Sequence, residues 1–164
     1  PIFCDTTSCT HTLLFETGGD ILTPENREKY KQLKIMDITQ WLKEVVLPRI
    51  KVIRPKNRIL LHPTCSCQIM GLTPVLLDIA RKCAREVILP DNWGCCGASG
   101  DRGFIFPALS DSATRDERDE IGHESFDGCY SLARTCEIAM QDHIEQPYES
   151  IVYLVDETIQ DQGT

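Results

Sequence analysis

The stretch Arg58-Ile-Leu-Leu-His62, followed by Pro63, Thr64 and Cys65, decides how this chain is read: a short apolar run, a turn, then a cysteine. Downstream, Gly71-Leu-Thr-Pro-Val-Leu-Leu-Asp-Ile-Ala-Arg-Lys-Cys-Ala84 carries apolar residues at helical spacing, so the unit is strand, cysteine loop, helix. The order returns with Glu86-Val-Ile-Leu-Pro90 as a strand, a loop holding Cys95 and Cys96, and a helix over Pro107 to Ile121 with proline in its first turn. It returns less cleanly once more. Ser125 to Tyr130 is a weak strand, Cys136 opens a helix running through Met140, and Glu149-Ser-Ile-Val-Tyr-Leu-Val155 is predicted as the last strand. Strands alternating with helices predict an α/β fold, a Rossmann-like parallel sheet with helices on both faces. Right-handed crossovers then put every strand-to-helix loop at the carboxyl edge of the sheet.

That rule gathers Cys65, Cys95, Cys96 and Cys136 although the chain keeps them far apart. Neighbouring cysteines in a strand point to opposite faces, so Gly94-Cys95-Cys96-Gly97 must sit in a turn if both act on one centre, and its glycines can supply positive φ. Four thiolates suit an iron-sulfur cluster or structural zinc, both of which take soft sulfur ligands. Zinc sites usually show short paired spacings; long spacings with a vicinal pair favour the cluster. Helix N-termini facing the same edge favour thiolates and a net-negative group.

The remaining cysteines have plainer readings. Cys67 is a possible fifth thiolate but more simply a small apolar filler, Cys83 sits on an apolar helix face, and Cys4 and Cys129 fall inside strands. His62 and His11 stand near cysteines, where a histidine more often bonds a carbonyl than ligates. A Cys65 nucleophile with a His62 base lacks a third member, and thiol-disulfide exchange by the vicinal pair is a further possibility. Gly97-Ala-Ser-Gly-Asp-Arg-Gly103 lacks the lysine of a phosphate loop and fits close backbone approach to a cluster. Arg102 and Arg134 flank the presumed ligands, either opposing their charge or pairing with acidic residues.

Length and makeup, 164 residues with 41% hydrophobic and 26% charged, are those of an ordinary globule. Seventeen basic against 25 acidic residues give a net charge of -8, which argues against nucleic acid as a partner. No segment is long and apolar enough to cross a bilayer, and no secretion signal opens the chain. Nine cysteines, an odd number with a vicinal pair, fit a reducing cytoplasm better than a disulfide framework.

Residue 1 is Pro, and Pro1-Ile2-Phe3 reads as a strand under way, as expected of a piece of a longer polypeptide. Residues 1–50 echo the later chain when Cys9 is laid on Cys136, and read as the C-terminal remnant of a preceding repeat plus the helix Asp37 to Leu47, capped by Asp37. Cys9 is then an orphan ligand, expected to be a free thiol. Pro48 to Asn57 is the linker into the complete unit, residues 51–164.

At His62-Pro-Thr-Cys-Ser-Cys67, Gly94-Cys-Cys-Gly-Ala-Ser-Gly-Asp-Arg-Gly-Phe104, Arg134-Thr-Cys-Glu-Ile138 and Tyr153-Leu-Val-Asp-Glu157 the chain resembles the C-terminal part of FAD-linked, iron-sulfur D-lactate dehydrogenases. The wider set shares a cysteine-rich CCG domain and includes the glycolate oxidase iron-sulfur subunit and the heterodisulfide reductase B subunit. The resemblance implies a [4Fe-4S] cluster on Cys65, Cys95, Cys96 and Cys136, with flavin-binding (FAD) and ferredoxin-like segments upstream. It implies a domain that relays electrons from reduced flavin to a cytochrome, quinone or other acceptor and carries no catalytic residue for hydride transfer. The parent protein is expected in the cytoplasm, with peripheral membrane attachment through its other parts as one arrangement. Position 133 is Ala where the family pattern has a cysteine, which favours four thiolates over five. Some copies of the domain hold zinc, so a zinc-stabilised interaction domain is the alternative.

Overall fold

The computed structural model describes residues 1–17 and 21–159. The chain opens with β1 (Ile2–Cys4) and α1 (Thr7–His11), which runs on as a π-helical turn over Thr12–Glu16. After α2 (Pro24–Tyr30), β2 (Ile35–Asp37) pairs with β1 in parallel, Cys4 opposite Asp37. Asp37 then caps α3 (Ile38–Trp41), its carboxylate accepting from the Thr39 amide at 2.9 Å. Leu42–Val46 extends that helix in π geometry, so the helix expected from Asp37 to Leu47 is present with its cap.

The main sheet has four parallel strands: β3 (Lys56–Leu61), β4 (Ala84–Ile88), β5 (Gly128–Ser131) and β6 (Tyr148–Ser150), in the order β4-β3-β5-β6. Between them run α4 (Cys65–Ile69), α5 (Thr73–Cys83), α6 (Arg102–Ile105), α7 (Pro107–Ile121) and α8 (Arg134–Ile144), with α9 (Ile151–Thr158) last. The α/β fold and the parallel sheet are as expected. Alternation along β3 sends Ile59 and Leu61 to one core, shared with α5 and α9, and Leu60 to a second core under α8. Helices therefore cover both faces.

One sequence-based expectation fails. Glu149 to Val155 is not a long strand: only Tyr148–Ser150 is extended, and Ile151 starts α9. Ser150 is its N-cap, accepting from the Val152 amide at 3.4 Å, and the buried residues Ile151, Leu154, Val155 and Thr158 follow helical rather than alternating spacing. The apolar β-branched run masks that period. Cys65 also lies one step further on than a loop: Thr64 caps α4 through the Cys67 amide at 3.2 Å, so Cys65 is its first residue.

The chain makes β3 and β4, then returns to the other side of β3 for β5. The sheet order thus reverses between β3 and β5, and the crevice beyond their carboxyl ends is where α/β sheets place ligands.

Candidate functional site

Leu61 of β3 is paired with Tyr130 of β5, so the segments leaving these strands run side by side. The first delivers Cys65 at the start of α4, and the second delivers Cys136 in the first turn of α8. The loop leaving β4 brings Cys95 and Cys96. All four thiols line one cavity of about 550 Å³ at this edge. The adjacent pair divides its duties: Cys96 is buried with Cys136, and Cys95 is exposed, as is Cys65.

The Sγ atoms of Cys96 and Cys136 lie 2.9 Å apart, close enough to share a proton. Sharing lowers the first ionisation, assigned to Cys96 at about 6, where the hydrogen bond with Cys136 outweighs burial and the Ala98 amide and His62 assist. The second proton is held more tightly, and Cys136 is raised by the Cys96 bond and by burial. On the exposed side, burial and then the neighbouring Cys95 raise the Cys65 thiol. The Gly97 amide donates to Cys95 Sγ at 3.4 Å.

Of the two glycines flanking the pair, only Gly97 takes up positive φ, at 73°. A β-carbon there would come within 2.7 Å of the Leu109 carbonyl oxygen, so the residue is fixed both by conformation and by the close approach of α7. Ser99 and Gly100 also have positive φ, and both line the cavity.

The thiols set aside as filler stay outside this cavity. Burial lifts Cys67 and Cys129 to about 12 and raises Cys83, all three lying in the apolar cores. Cys9 behaves otherwise. It is exposed, and it lines the same cavity as the four predicted thiols. Its helix is anchored there by the Thr7 amide, which donates to the Leu132 carbonyl at 3.3 Å, and by Thr10, whose hydroxyl donates to Asp37 at 2.9 Å.

His62 does not reach into the cavity lining. It is 1% exposed, its Nδ1 bonds both oxygens of the buried Glu117 at 2.9 and 3.1 Å, and its Nε2 has no hydrogen-bond partner. Glu117 is a residue that sequence reasoning missed. Its only sequence signal is its place on the face of α7 shared by Ser110, Thr114 and Ile121. His11 bonds Glu16 at 3.3 Å. Arg134 borders the cavity and pairs with Glu137 at 3.1 Å.

The donor set fits a thiophilic metal group. Among the described residues no three His, Cys, Asp or Glu side chains converge on a point that would hold a single ion. Cys65, Cys95, Cys96 and Cys136 line one cavity together with Cys9, and these thiols are the residues that could hold such a group. Among the described residues no helix is long and apolar enough to cross a membrane. Comparison with protein-family models and with curated proteins finds no match to this chain.

Proposed function

We propose that this chain is an iron-sulfur electron-transfer domain in which Cys65, Cys95, Cys96 and Cys136 hold a [4Fe-4S] cluster. The observation that carries the reading is that four thiols from three separate strand-to-helix segments line one cavity. A bound cluster of this kind takes and gives one electron at a time, the property needed between a two-electron flavin and a one-electron acceptor. The residues of the chain prepare that cavity. Cys96 ionises readily because it shares a proton with Cys136, the Gly97 amide stands against Cys95 Sγ, and Ala98 and Ala133 give the wall an apolar surface that limits water.

The parent enzyme in this reading is an FAD-linked D-2-hydroxy acid dehydrogenase, D-lactate being the substrate that the motif resemblance suggests. Its flavin-binding and ferredoxin-like parts are the proposed partners, and residues 1–50 the end of a preceding CCG repeat. Support for the repeat comes from geometry: with Cys9 laid on Cys136, the last residue of β1 falls on the last of β5 and the first of α1 on the first of α8.

Anaerobic reconstitution with iron and sulfide, followed by iron and labile-sulfide analysis and electron paramagnetic resonance, tests the reading. Iron and sulfide in cluster proportion with a signal on reduction are expected. Stoichiometric zinc with no reducible signal would point to the zinc-stabilised interaction domain instead.

A further inference from the structure

The sulfurs of Cys96 and Cys136 stand 2.9 Å apart on elements that leave them little room to separate. Cys136 is fixed in the first turn of α8, and Cys96 immediately precedes Gly97, whose backbone is pressed against Leu109 and Ser110 of α7. Both side chains belong to one buried cluster with Leu60, Ala98 and Met140. Bond formation needs the sulfurs to close from 2.9 Å to about 2.0 Å. Cys95, the sequence neighbour, is exposed and does not share this buried position.

We infer that Cys96 and Cys136 form a reversible disulfide when no metal is bound, a two-electron thiol chemistry of this cavity that takes a small hydroperoxide as oxidant. The inference goes beyond electron relay, and only its consequence for metal loading rests on the function proposed above. The Cys96 thiolate attacks one oxygen of hydrogen peroxide, the O–O bond breaks, and Cys96 sulfenic acid and hydroxide form. Sulfur of Cys136 then attacks Cys96 sulfur. The S–S bond forms, the S–O bond breaks, the Cys136 proton is released, and the departing oxygen leaves as water. Two thiols and one peroxide become one disulfide and two waters, and the two electrons pass from sulfur to peroxide. The bond would consume two of the four proposed ligands, so the oxidised cavity refuses metal until a thiol reductant reopens it.

The test uses the full chain, reduced and stripped of metal, treated with stoichiometric hydrogen peroxide, alkylated and mapped by mass spectrometry. A Cys96–Cys136 cross-link that dithiothreitol reverses is expected, with Cys67 and Cys83 unchanged. The same cross-link is expected in the double variant C65S/C95S, and Cys136→Ser should leave a Cys96 sulfenic acid that dimedone traps. A cross-link of Cys96 to Cys95 or Cys65 in place of Cys136, or conversion of Cys96 to sulfinic acid without any cross-link, would overturn the inference. A cross-link in a protein that takes up no iron and sulfide even when reduced would uphold the disulfide and overturn the cluster reading. Equal iron and sulfide uptake before and after peroxide would overturn the control of loading.

Discussion

Two regions of this molecule are built to one plan and differ in what they can hold. β1, α1, β2 and α3 repeat the order of β5, α8, β6 and α9: a strand, a helix with a cysteine at its third residue, a parallel strand, and a capped helix. Cys4 lies opposite Asp37, and Ser131, its counterpart, lies opposite Ser150. Asp37 and Ser150 are the helix caps. The first region adds α2 between its strands, and its sheet has two strands. The second joins β3 and β4, whose loops bring Cys65, Cys95 and Cys96 to Cys136. The strand-helix unit therefore presents one thiol, and neighbouring strands multiply it into a site. Cys136 is buried against Cys96, whereas Cys9, which lines the same cavity, is exposed.

The largest expected effect separates those two cysteines. Cys136→Ser should abolish iron loading on anaerobic reconstitution, whereas Cys9→Ser should leave most of it, with bound iron per chain as the readout. Loss in both would mean that the two regions share the centre as equals. Cys96→Ser should behave as Cys136→Ser and Cys83→Ser as the unsubstituted chain. Equal iron in these last two variants would remove the ligand assignment.

Next in size is the buried pair on the second region's face. Glu117→Leu strands the His62 imidazole, already without a partner at Nε2, and should cost about 1–3 kcal/mol in denaturant unfolding. The double replacement His62→Leu with Glu117→Leu should recover much of that loss. No recovery would mean that the two residues do not act as a pair. Gly97→Ala should cost roughly 1–3 kcal/mol through its left-handed backbone, and more through the close approach of the Leu109 carbonyl.

The caps sharpen the likeness between the regions. Ser150→Ala should cost about 1 kcal/mol. Asp37→Ala should cost more, since Asp37 also accepts from the hydroxyls of Thr39 at 2.6 Å and Thr10 at 2.9 Å while buried. Equal losses in thermal or denaturant unfolding would show that the tie to α1 contributes nothing.

A pH dependence is also expected, and its rise belongs to the buried thiol pair beside the second region. Between about 6 and the ordinary thiol value of 9.0 the folded Cys96–Cys136 pair holds one proton and the unfolded pair two, so stability rises with pH. Above that range the unfolded pair has lost both protons, but folded Cys136 retains one, so stability falls. Unfolding of the reduced, metal-free chain across this range should show the rise and fall; Cys136→Ser should lose the rise, whose main cause is its bond to Cys96, and keep much of the fall, to which Cys67, Cys83 and Cys129 also contribute.

Much of this arrangement is legible in the residues alone. The run Arg58 to His62 and the helix ending at Cys83 announce themselves by period, and the carboxyl-edge rule is enough to collect four thiols from three loops. Helix α9 is less legible because Ile151, Val152 and Val155 favour strands locally, while the buried spacing set by packing on α5 makes them a helix. Glu117 is hidden for a different reason. One acidic residue among several on α7 looks solvated until tertiary packing turns it toward His62. That Cys9 and Cys136 share a cavity wall is likewise a property of how α1 is tied to Leu132, a contact with no local sequence signature.

An anomalous difference map at the iron edge, from crystals of the anaerobically reconstituted chain, shows whether one centre is held by sulfurs from three strand-to-helix segments. A single multinuclear peak bonded to Cys65, Cys95, Cys96 and Cys136 is expected. A peak bonded to fewer than three of these, or located away from the carboxyl edge of β3 and β5, would contradict it.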